Sequence, residues 1–222
     1  AAACVGTRGQ EVMAEPSPQG RKKKQALKKI EARGLVVEKA CELGSDEDVI
    51  VKQLGFLPRN VHSIAARGES GEPTVLRLYP LAVSLKGARA GISERQPFPT
   101  MYWLSCPSLK AAVSQLENQG LISEWERRLQ ADPALLAEQQ AAHKLYSEER
   151  WALLGPEDVE LIRERGWEAS YGGGVGGIVN PSNIKCMHCH LAHYLATGSN
   201  VVGRWTQEAL DARLHLLPAD TI

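Results

Sequence analysis

Apolar residues recur at helical spacing through the second half of the chain. The clearest run lies between Pro107 and Gly120, where positions i, i+3, i+4 and i+7 are apolar: Leu109, Ala112, Val113 and Leu116. Proline is favoured in the first turn of a helix and glycine just past its end, so the pattern predicts a helix between them. Similar patterns predict four further helices, at 122–132, 133–155, 156–166 and 206–217.

Extended segments precede these helices. Three runs rich in β-branched or aromatic residues are separated by glycine and proline, and they predict strands at 61–67, 73–81 and 100–106. Alternation in the last run gives it two apolar faces, one with Tyr102, Leu104 and Cys106 and the other with Met101 and Trp103. The sequence therefore predicts an α+β fold, in which a small sheet of about three strands is packed by a mostly helical C-terminal half.

The chain divides into two predicted parts. Residues 1–45 begin with small and polar side chains and continue into a basic run, 21–33, which predicts a disordered extension with some basic helix. Ser45 is followed by three acidic residues, which is typical of a helix start. Residues 46–218 are predicted to form a single α+β domain.

Composition excludes several classes of protein. The 26 basic and 26 acidic residues cancel, so no overall charge attracts the chain to nucleic acid, and the basic run 21–33 is the one local signal of that kind. No apolar run approaches the length of about 18 residues that spans a bilayer, which predicts a soluble protein. Five unevenly placed cysteines indicate a reducing compartment, and the small-residue N-terminus is typical of an organelle-imported chain after removal of a transit peptide.

Two cysteines and three histidines lie close together near the C-terminus. If residues 184–196 form a helix, Cys186, His190 and His193 stand at i, i+4 and i+7 on one face. A thiolate and two imidazoles are zinc ligands, with iron as the alternative metal. Cys106 is the predicted fourth ligand, because a helix N-terminus favours the thiolate.

Other interpretations of these residues stay open. The segment also spells Cys-x-x-Cys-His, the attachment signature of covalent haem, with Cys186 and Cys189 as the linked thiols and His190 as the axial ligand. Haem is the less favoured cofactor, because no Met-bearing segment stands out as a second axial arm. Cys106 is equally a candidate nucleophile or a small buried core residue.

A hydrolytic function is one of two hypotheses. Candidates for acid-base chemistry or for binding an anionic substrate are His188, His143, Arg150, Arg59 and Lys185. With three protein ligands and one open position, the metal-binding domain is expected to hydrolyse that substrate. The alternative is a non-catalytic interaction module of a larger organellar complex, in which the Cys/His helix belongs to the core. An open pocket beside this helix favours the enzyme.

Five blocks of the chain resemble the bacterial family known as domain of unknown function 501. In order they are QLGFLPRNV, PFPTMYWLSCPSLKAAVSQLENQG, AAHKLYSEER, GGI and IKCMHCHLAHYLATGSNVVG. The resemblance runs from Gln53 to Gly203 and implies a bacterial-type core with no established activity. It places Cys189 where the family commonly has Ala, which implies that the haem-like spelling is particular to this chain.

The resemblance also bears on the metal site and on the location. Many bacterial members of the family carry a Cys-Pro-x-Gly element where this chain has GESGEP at 68–73, so any cysteine ligands of that element are lost here. Residues 1–50 fall outside the resemblance, which implies an organellar extension on a bacterial-type core. The chloroplast stroma is the expected location, ahead of the mitochondrial matrix.

Overall fold

The computed structural model describes residues 45–84 and 94–214. The predicted extension up to residue 44, its basic run and residues 215–218 of the predicted domain lie outside the described residues. The described part contains a three-stranded antiparallel sheet, a two-stranded sheet and seven α-helices, most of them in the C-terminal half. The predicted α+β fold is therefore confirmed.

The central sheet is built from the three predicted strands. They pair antiparallel in the order β1, β2, β5, with bounds Val61–Arg67, Pro73–Leu78 and Tyr102–Leu104. The predicted strand 73–81 ends at Leu78, because Pro80 has no N–H group with which to continue the ladder. A second pair of strands, which the pattern did not predict, follows: β3 (Leu81–Ser84) and β4 (Glu94–Pro97).

Both faces of the central sheet are covered, as the alternation in the third strand predicted. Tyr102 and Leu104 belong to the main core, whereas Trp103 packs in a smaller cluster on the opposite face. Two predicted positions differ, because the strand is only three residues long. Met101 lies in the main core and not beside Trp103, and Cys106 has left the strand to precede a helix.

Local signals explain where most helices begin. Their bounds are α1 Asp46–Leu54, α2 Pro107–Asn118, α3 Leu121–Ala131, α4 Pro133–Ala152, α5 Pro156–Glu164, α6 Met187–Thr197 and α7 Val201–Leu214. Ser45 caps α1, and proline opens α2, α4 and α5. Helix α7 begins before the predicted Thr206, because Asn200 accepts a hydrogen bond from the Gly203 N–H and supplies the cap. No helix in the described part of the chain is long and apolar enough to cross a membrane.

Helix α6 lies at the centre of the fold, where seven of its 11 residues are buried. It packs against β5, α2 and α7. The contact with α7 is made at Gly203, where an added Cβ would lie 2.3 Å from the carbonyl oxygen of His190 and 2.5 Å from the Cβ of Tyr194. The two helices therefore cross with their backbones in contact, and no side chain fits between them.

Candidate metal and thiol site

The helix that carries the Cys/His segment begins later than predicted. Its first residue is Met187, and Cys186 is the N-cap residue, with extended dihedral angles (φ −161°, ψ 118°). A carboxylate oxygen of Glu117, on α2, accepts the Met187 N–H at 2.8 Å and anchors this end of the helix. An extended residue does not follow helical spacing, so Cys186 does not share a helical face with His190 and His193.

His190 and His193 lie inside the protein, and each is 1% exposed. Asn200 connects them: its Oδ1 lies 3.1 Å from His190 Nδ1, and its Nδ2 lies 3.2 Å from His193 Nδ1. The His193 ring also stacks on Tyr102, with the ring centroids 5.7 Å apart. These contacts place His190 and His193, two of the predicted ligands, in a hydrogen-bonded core. Within the described part of the chain, neither histidine joins Cys186 or Cys106 in a group of possible ligands.

His143, a predicted catalytic candidate, belongs to the same buried region. Its ring meets that of His190 edge-on at a centroid distance of 5.6 Å, and its Nδ1 accepts the Val175 N–H at 3.0 Å. Burial lowers the pKa of His143 to about 4, and it lowers the pKa of His190 and of His193 to about 3. All three imidazoles are therefore neutral near pH 7.

The start of α6 brings together a different group of side chains. His188 Nδ1 lies 3.6 Å from Cys186 Sγ and 3.2 Å from Glu117 Oε1. The three donor atoms lie within 4.8 Å of one another, and within the described residues this is the one such Cys/His/Asp/Glu group of three. The side chains of His188 and Glu117 remain 23% and 24% exposed, so solvent reaches them.

The other nitrogen of His188 faces α2. His188 Nε2 lies 3.0 Å from the carbonyl oxygen of Lys110 and 3.3 Å from the hydroxyl of Ser114. A carbonyl oxygen only accepts hydrogen bonds, so Nε2 carries a proton and donates it there. Nδ1 is consequently the nitrogen left to meet Cys186 and Glu117, either as a lone pair or as a second N–H.

The sulfur atoms of this segment differ in charge. The pKa of Cys186 falls to about 4, chiefly because the Cys189 thiol donates a hydrogen bond to its sulfur and also because His188 lies close. The pKa of His188 rises to about 9, first through its hydrogen bond with Cys186 and then through that with Lys110. The hydrogen bond to Cys186, together with burial, raises the pKa of Cys189. Without a cation, the site is a thiolate beside an imidazolium, with a neutral thiol next to them.

A cleft of about 310 Å³ opens beside this group. It is lined by Phe98, Thr100, Tyr102, Trp103, Leu104, Lys110, Cys186, His188 and Cys189. Aromatic rings form one part of its wall, and the lysine, the histidine and the two cysteines form the polar part. His190, the axial ligand that a covalent haem requires, is not among the lining residues.

Cys106 and Arg59 lie elsewhere. Cys106 is the partly exposed N-cap residue of α2, and its sulfur lies 3.2 Å from the Ser108 hydroxyl, outside the converging group. Arg59 lines a second cleft, of about 340 Å³, together with Arg95 and Asp158. Neither residue shares a cleft with Cys186 and His188.

Arg150, a predicted candidate for binding an anion, lies buried among backbone carbonyls of loops. Its side chain is 0% exposed and donates to the carbonyl oxygens of Pro99 at 2.8 Å, Tyr171 at 2.7 Å and Gly173 at 2.8 Å. These carbonyls belong to loops on either side of α4, so the guanidinium fastens the loops together. A side chain occupied in this way is not free to bind a substrate.

Glu117 is the member of the group that the sequence analysis did not single out. It lies in the predicted helix between Pro107 and Gly120, at i+7 from Lys110 and i+3 from Ser114. The three residues form a polar stripe beside the apolar row of α2, and all three contact His188. The polar stripe is the one feature of the sequence that points to Glu117. The sequence does not show which part of the fold this stripe contacts.

Comparison with known proteins assigns the family. The family described as "Protein of unknown function (DUF501)" matches residues 64–208. No curated protein and no solved structure matches the chain. The matched residues include α2 to α6 and all three members of the converging group, and they confirm the resemblance noted in the sequence. The chain belongs to the family of proteins of unknown function DUF501.

Proposed function

We propose that this protein binds a divalent transition metal through Glu117, Cys186 and His188 and uses it to hydrolyse an anionic substrate in the adjoining cleft. The observation that carries the proposal is the convergence of these three donor atoms. The metal ligands of the sequence analysis are thereby revised: Cys186 is kept, while Glu117 and His188 replace Cys106, His190 and His193.

The distances between the donors suit a tetrahedral zinc ion. Zinc binds thiolate sulfur at about 2.3 Å and imidazole nitrogen at about 2.0–2.1 Å. Tetrahedral angles at those bond lengths separate sulfur from nitrogen by about 3.6 Å, and nitrogen from oxygen by about 3.4 Å. The observed separations at His188 Nδ1 are 3.6 Å to Cys186 Sγ and 3.2 Å to Glu117 Oε1. Two of the three donor pairs are therefore close to tetrahedral spacing, and the third, Cys186 Sγ with Glu117 Oε1, lies within 4.8 Å.

The hydrogen bond on the far side of His188 supports the same assignment. Metal-binding histidines usually donate their second ring N–H to a carbonyl or carboxylate, which orients the ring and selects the tautomer. The Lys110 carbonyl takes this place here, 3.0 Å from Nε2. The thiolate selects zinc or iron over magnesium and calcium, which prefer ligand sets made of oxygen alone.

The chemistry follows from the number of ligands. Three protein ligands leave one position open, as in catalytic zinc sites, and a metal in this position activates water or a substrate oxygen as a Lewis acid. The cleft admits a substrate next to Cys186 and His188, and Lys110 brings a cation to its wall. A substrate with a phosphate or carboxylate group matches this arrangement.

Metal content is the first test. The full chain is expressed in medium with zinc and iron, purified without chelator and measured by elemental analysis. Wild type is expected to retain stoichiometric metal, while Cys186→Ser and Glu117→Gln weaken binding by at least about tenfold. Cys106→Ser is the matched control, because Cys106 is also a helix N-cap cysteine. Retention of metal in both site variants, or equal loss in the control, contradicts the proposal.

Hydrolysis is tested on the metal-loaded chain with p-nitrophenyl phosphate and bis(p-nitrophenyl) phosphate. The expected result is a rate that follows metal content across the same variants. Stoichiometric metal without turnover of either ester leaves the metal site standing and contradicts the hydrolytic assignment for phosphate esters.

A non-catalytic interaction module is the second candidate. One observation favours it: large apolar residues are exposed around the end of α1, namely Val51 at 43%, Phe56 at 51% and Leu57 at 37%. Apolar side chains exposed together in this way mark contact surfaces in other proteins. A metal-free chain that folds normally and hydrolyses neither ester favours the module.

A further inference from the structure

Cys189 is outside the proposed ligand set, yet it lies next to a ligand. We propose that Cys186 and Cys189 are a redox pair that forms a reversible disulfide. Oxidation by a small-molecule disulfide closes the pair, and reduction by a thiol opens it. The disulfide itself is independent of the proposed metal function; its effect on metal binding, described below, rests on that function.

The position of the two cysteines in α6 brings their sulfurs together. Cys186 is the N-cap residue, and Cys189 is the third residue of the helix. The side chain of an N-cap residue lies beside the third residue of the helix, as it does in a capping box, so the two cysteines lie on the same side of the first turn. Their proximity agrees with the lowered pKa of Cys186, of which the Cys189 thiol is the largest cause. Closing a disulfide therefore requires rotation of the side chains and little movement of the backbone.

Both sulfurs are accessible to a reagent. Each cysteine is partly exposed, and both line the cleft of about 310 Å³. Cys106 differs in both respects, because it does not line this cleft and Leu109 stands where a second cysteine would be needed.

The exchange occurs in two steps. The Cys186 sulfur attacks one sulfur of oxidised glutathione, forming a mixed disulfide and releasing one glutathione thiolate. The Cys189 sulfur then attacks the Cys186 sulfur, forming the internal disulfide and releasing the second glutathione. The pair loses two electrons and the oxidant gains them. The Cys189 thiol supplies one proton to the released glutathione, and the His188 imidazolium beside the Cys186 thiolate supplies the other.

Oxidation and metal binding exclude each other under the proposed function. A disulfide sulfur is not a thiolate donor, so oxidation removes one of the three ligands. A metal bound to the Cys186 thiolate conversely blocks the first attack. The site then holds metal under reducing conditions and releases it when the pair is oxidised.

The test follows the cysteines directly in the full chain. Protein stripped of metal with a chelator is equilibrated over a range of glutathione to oxidised glutathione ratios, alkylated and digested with trypsin. Both cysteines fall in one peptide, residues 186–204, because cleavage sites follow Lys185 and Arg204. The expected oxidised product is this peptide without alkyl groups and lighter by two hydrogen atoms. Cys106, which lies in another tryptic peptide, is the internal control and stays alkylated.

The variant Cys189→Ala separates the two steps. Without the second sulfur, Cys186 is expected to accumulate as the glutathione mixed disulfide, which wild type resolves. A peptide that is fully alkylated at every ratio overturns the redox pair, and so does a wild type that accumulates the same mixed disulfide as the variant. Metal content is measured separately on reduced protein, so a failure of the metal site leaves the disulfide result intact, and the reverse also holds.

Discussion

The histidines of α6 lie in opposite surroundings. His188, the second residue of the helix, faces a thiolate, a carboxylate and a carbonyl, which favour its protonated form and raise its pKa. His190 and His193, the fourth and seventh residues, are buried, and burial favours their neutral form and lowers their pKa. The first environment suits a metal or a proton, and the second suits neither.

The difference comes from the side of the helix that each histidine occupies. At the start of α6, Glu117 accepts the Met187 N–H and lies beside His188, which forms a partly exposed polar region. His190 follows His188 by two residues, about 200° around the helix, and lies with His193 in the core. There Asn200 bonds both rings, while His190 Nε2 has no hydrogen-bond partner among the described residues. A histidine on this helix is therefore a candidate ligand or a core residue according to the face it occupies.

The strongest test of the difference between His188 and the buried histidines is how the free energy of unfolding depends on pH. His143, His190 and His193 have folded pKa values below the ordinary value of about 6.5, so unfolding takes up protons below that pH. Their contribution is fully present above about pH 6.5 and is lost as the pH falls toward 4 and 3. Each histidine contributes about 1.4 kcal/mol per pH unit, so the three together lower the free energy of unfolding by about 4 kcal/mol per unit.

Urea denaturation between pH 6.5 and 5 measures this slope. His193→Gln is expected to reduce it by about 1.4 kcal/mol per pH unit, because one proton uptake is removed. His62→Asn, at an exposed position on β1, is the matched histidine control. If His193→Gln leaves the slope of the unfolding free energy against pH unchanged, the prediction that His193 is neutral in the folded protein is wrong.

Truncation of His193, one of the buried histidines of α6, has the next largest effect on stability. His193→Ala removes a ring that packs on Tyr102 and Tyr146 and leaves Asn200 without one partner. The expected loss is about 3 kcal/mol of unfolding free energy, measured by urea denaturation, with the metal content of the folded protein unchanged. Loss of metal without loss of stability contradicts this expectation and restores His193 as a ligand.

Substitution of Cys189, in the first turn of α6, has the smallest effect on stability. Cys189→Ala removes a partly exposed sulfur, so the free energy of unfolding is expected to change by less than about 1 kcal/mol. Metal retention in reduced protein is expected to persist, because Cys189 is outside the group of three donors. Elemental analysis of the variant checks this, and a metal-free variant makes Cys189 a fourth ligand.

Much of the fold was predictable from local signals. Proline and glycine bound the helix at 107–120 closely, and the three strands of the central sheet follow from β-branched and aromatic runs. The second pair of strands was missed, since β4 (Glu94–Pro97) is short and polar and carries no hydrophobic alternation. Helix α7 was started too late, because its cap is an asparagine side chain and the pattern records only apolar spacing.

The site was predictable only in part. Cys186 and His188 were singled out by composition, but a continuous helix from residue 184 associated Cys186 with His190 and His193, whereas the helix begins at Met187 and Cys186 is extended. Glu117 could not be found, because it lies 71 residues from His188 and only the packing of α2 on α6 brings the two together. Periodicity describes one helix at a time, and it does not say which faces of two helices meet.

The backbone contact at Gly203 links the packing of α6 on α7 to the geometry at the start of α6. A larger residue there has no room beside His190 and Tyr194, so α6 must move away from α7 and its first turn must shift relative to α2. The three converging donors come from both α2 and α6, so their spacing depends on that packing. A glycine that does not touch the donors therefore helps to set the distances between them.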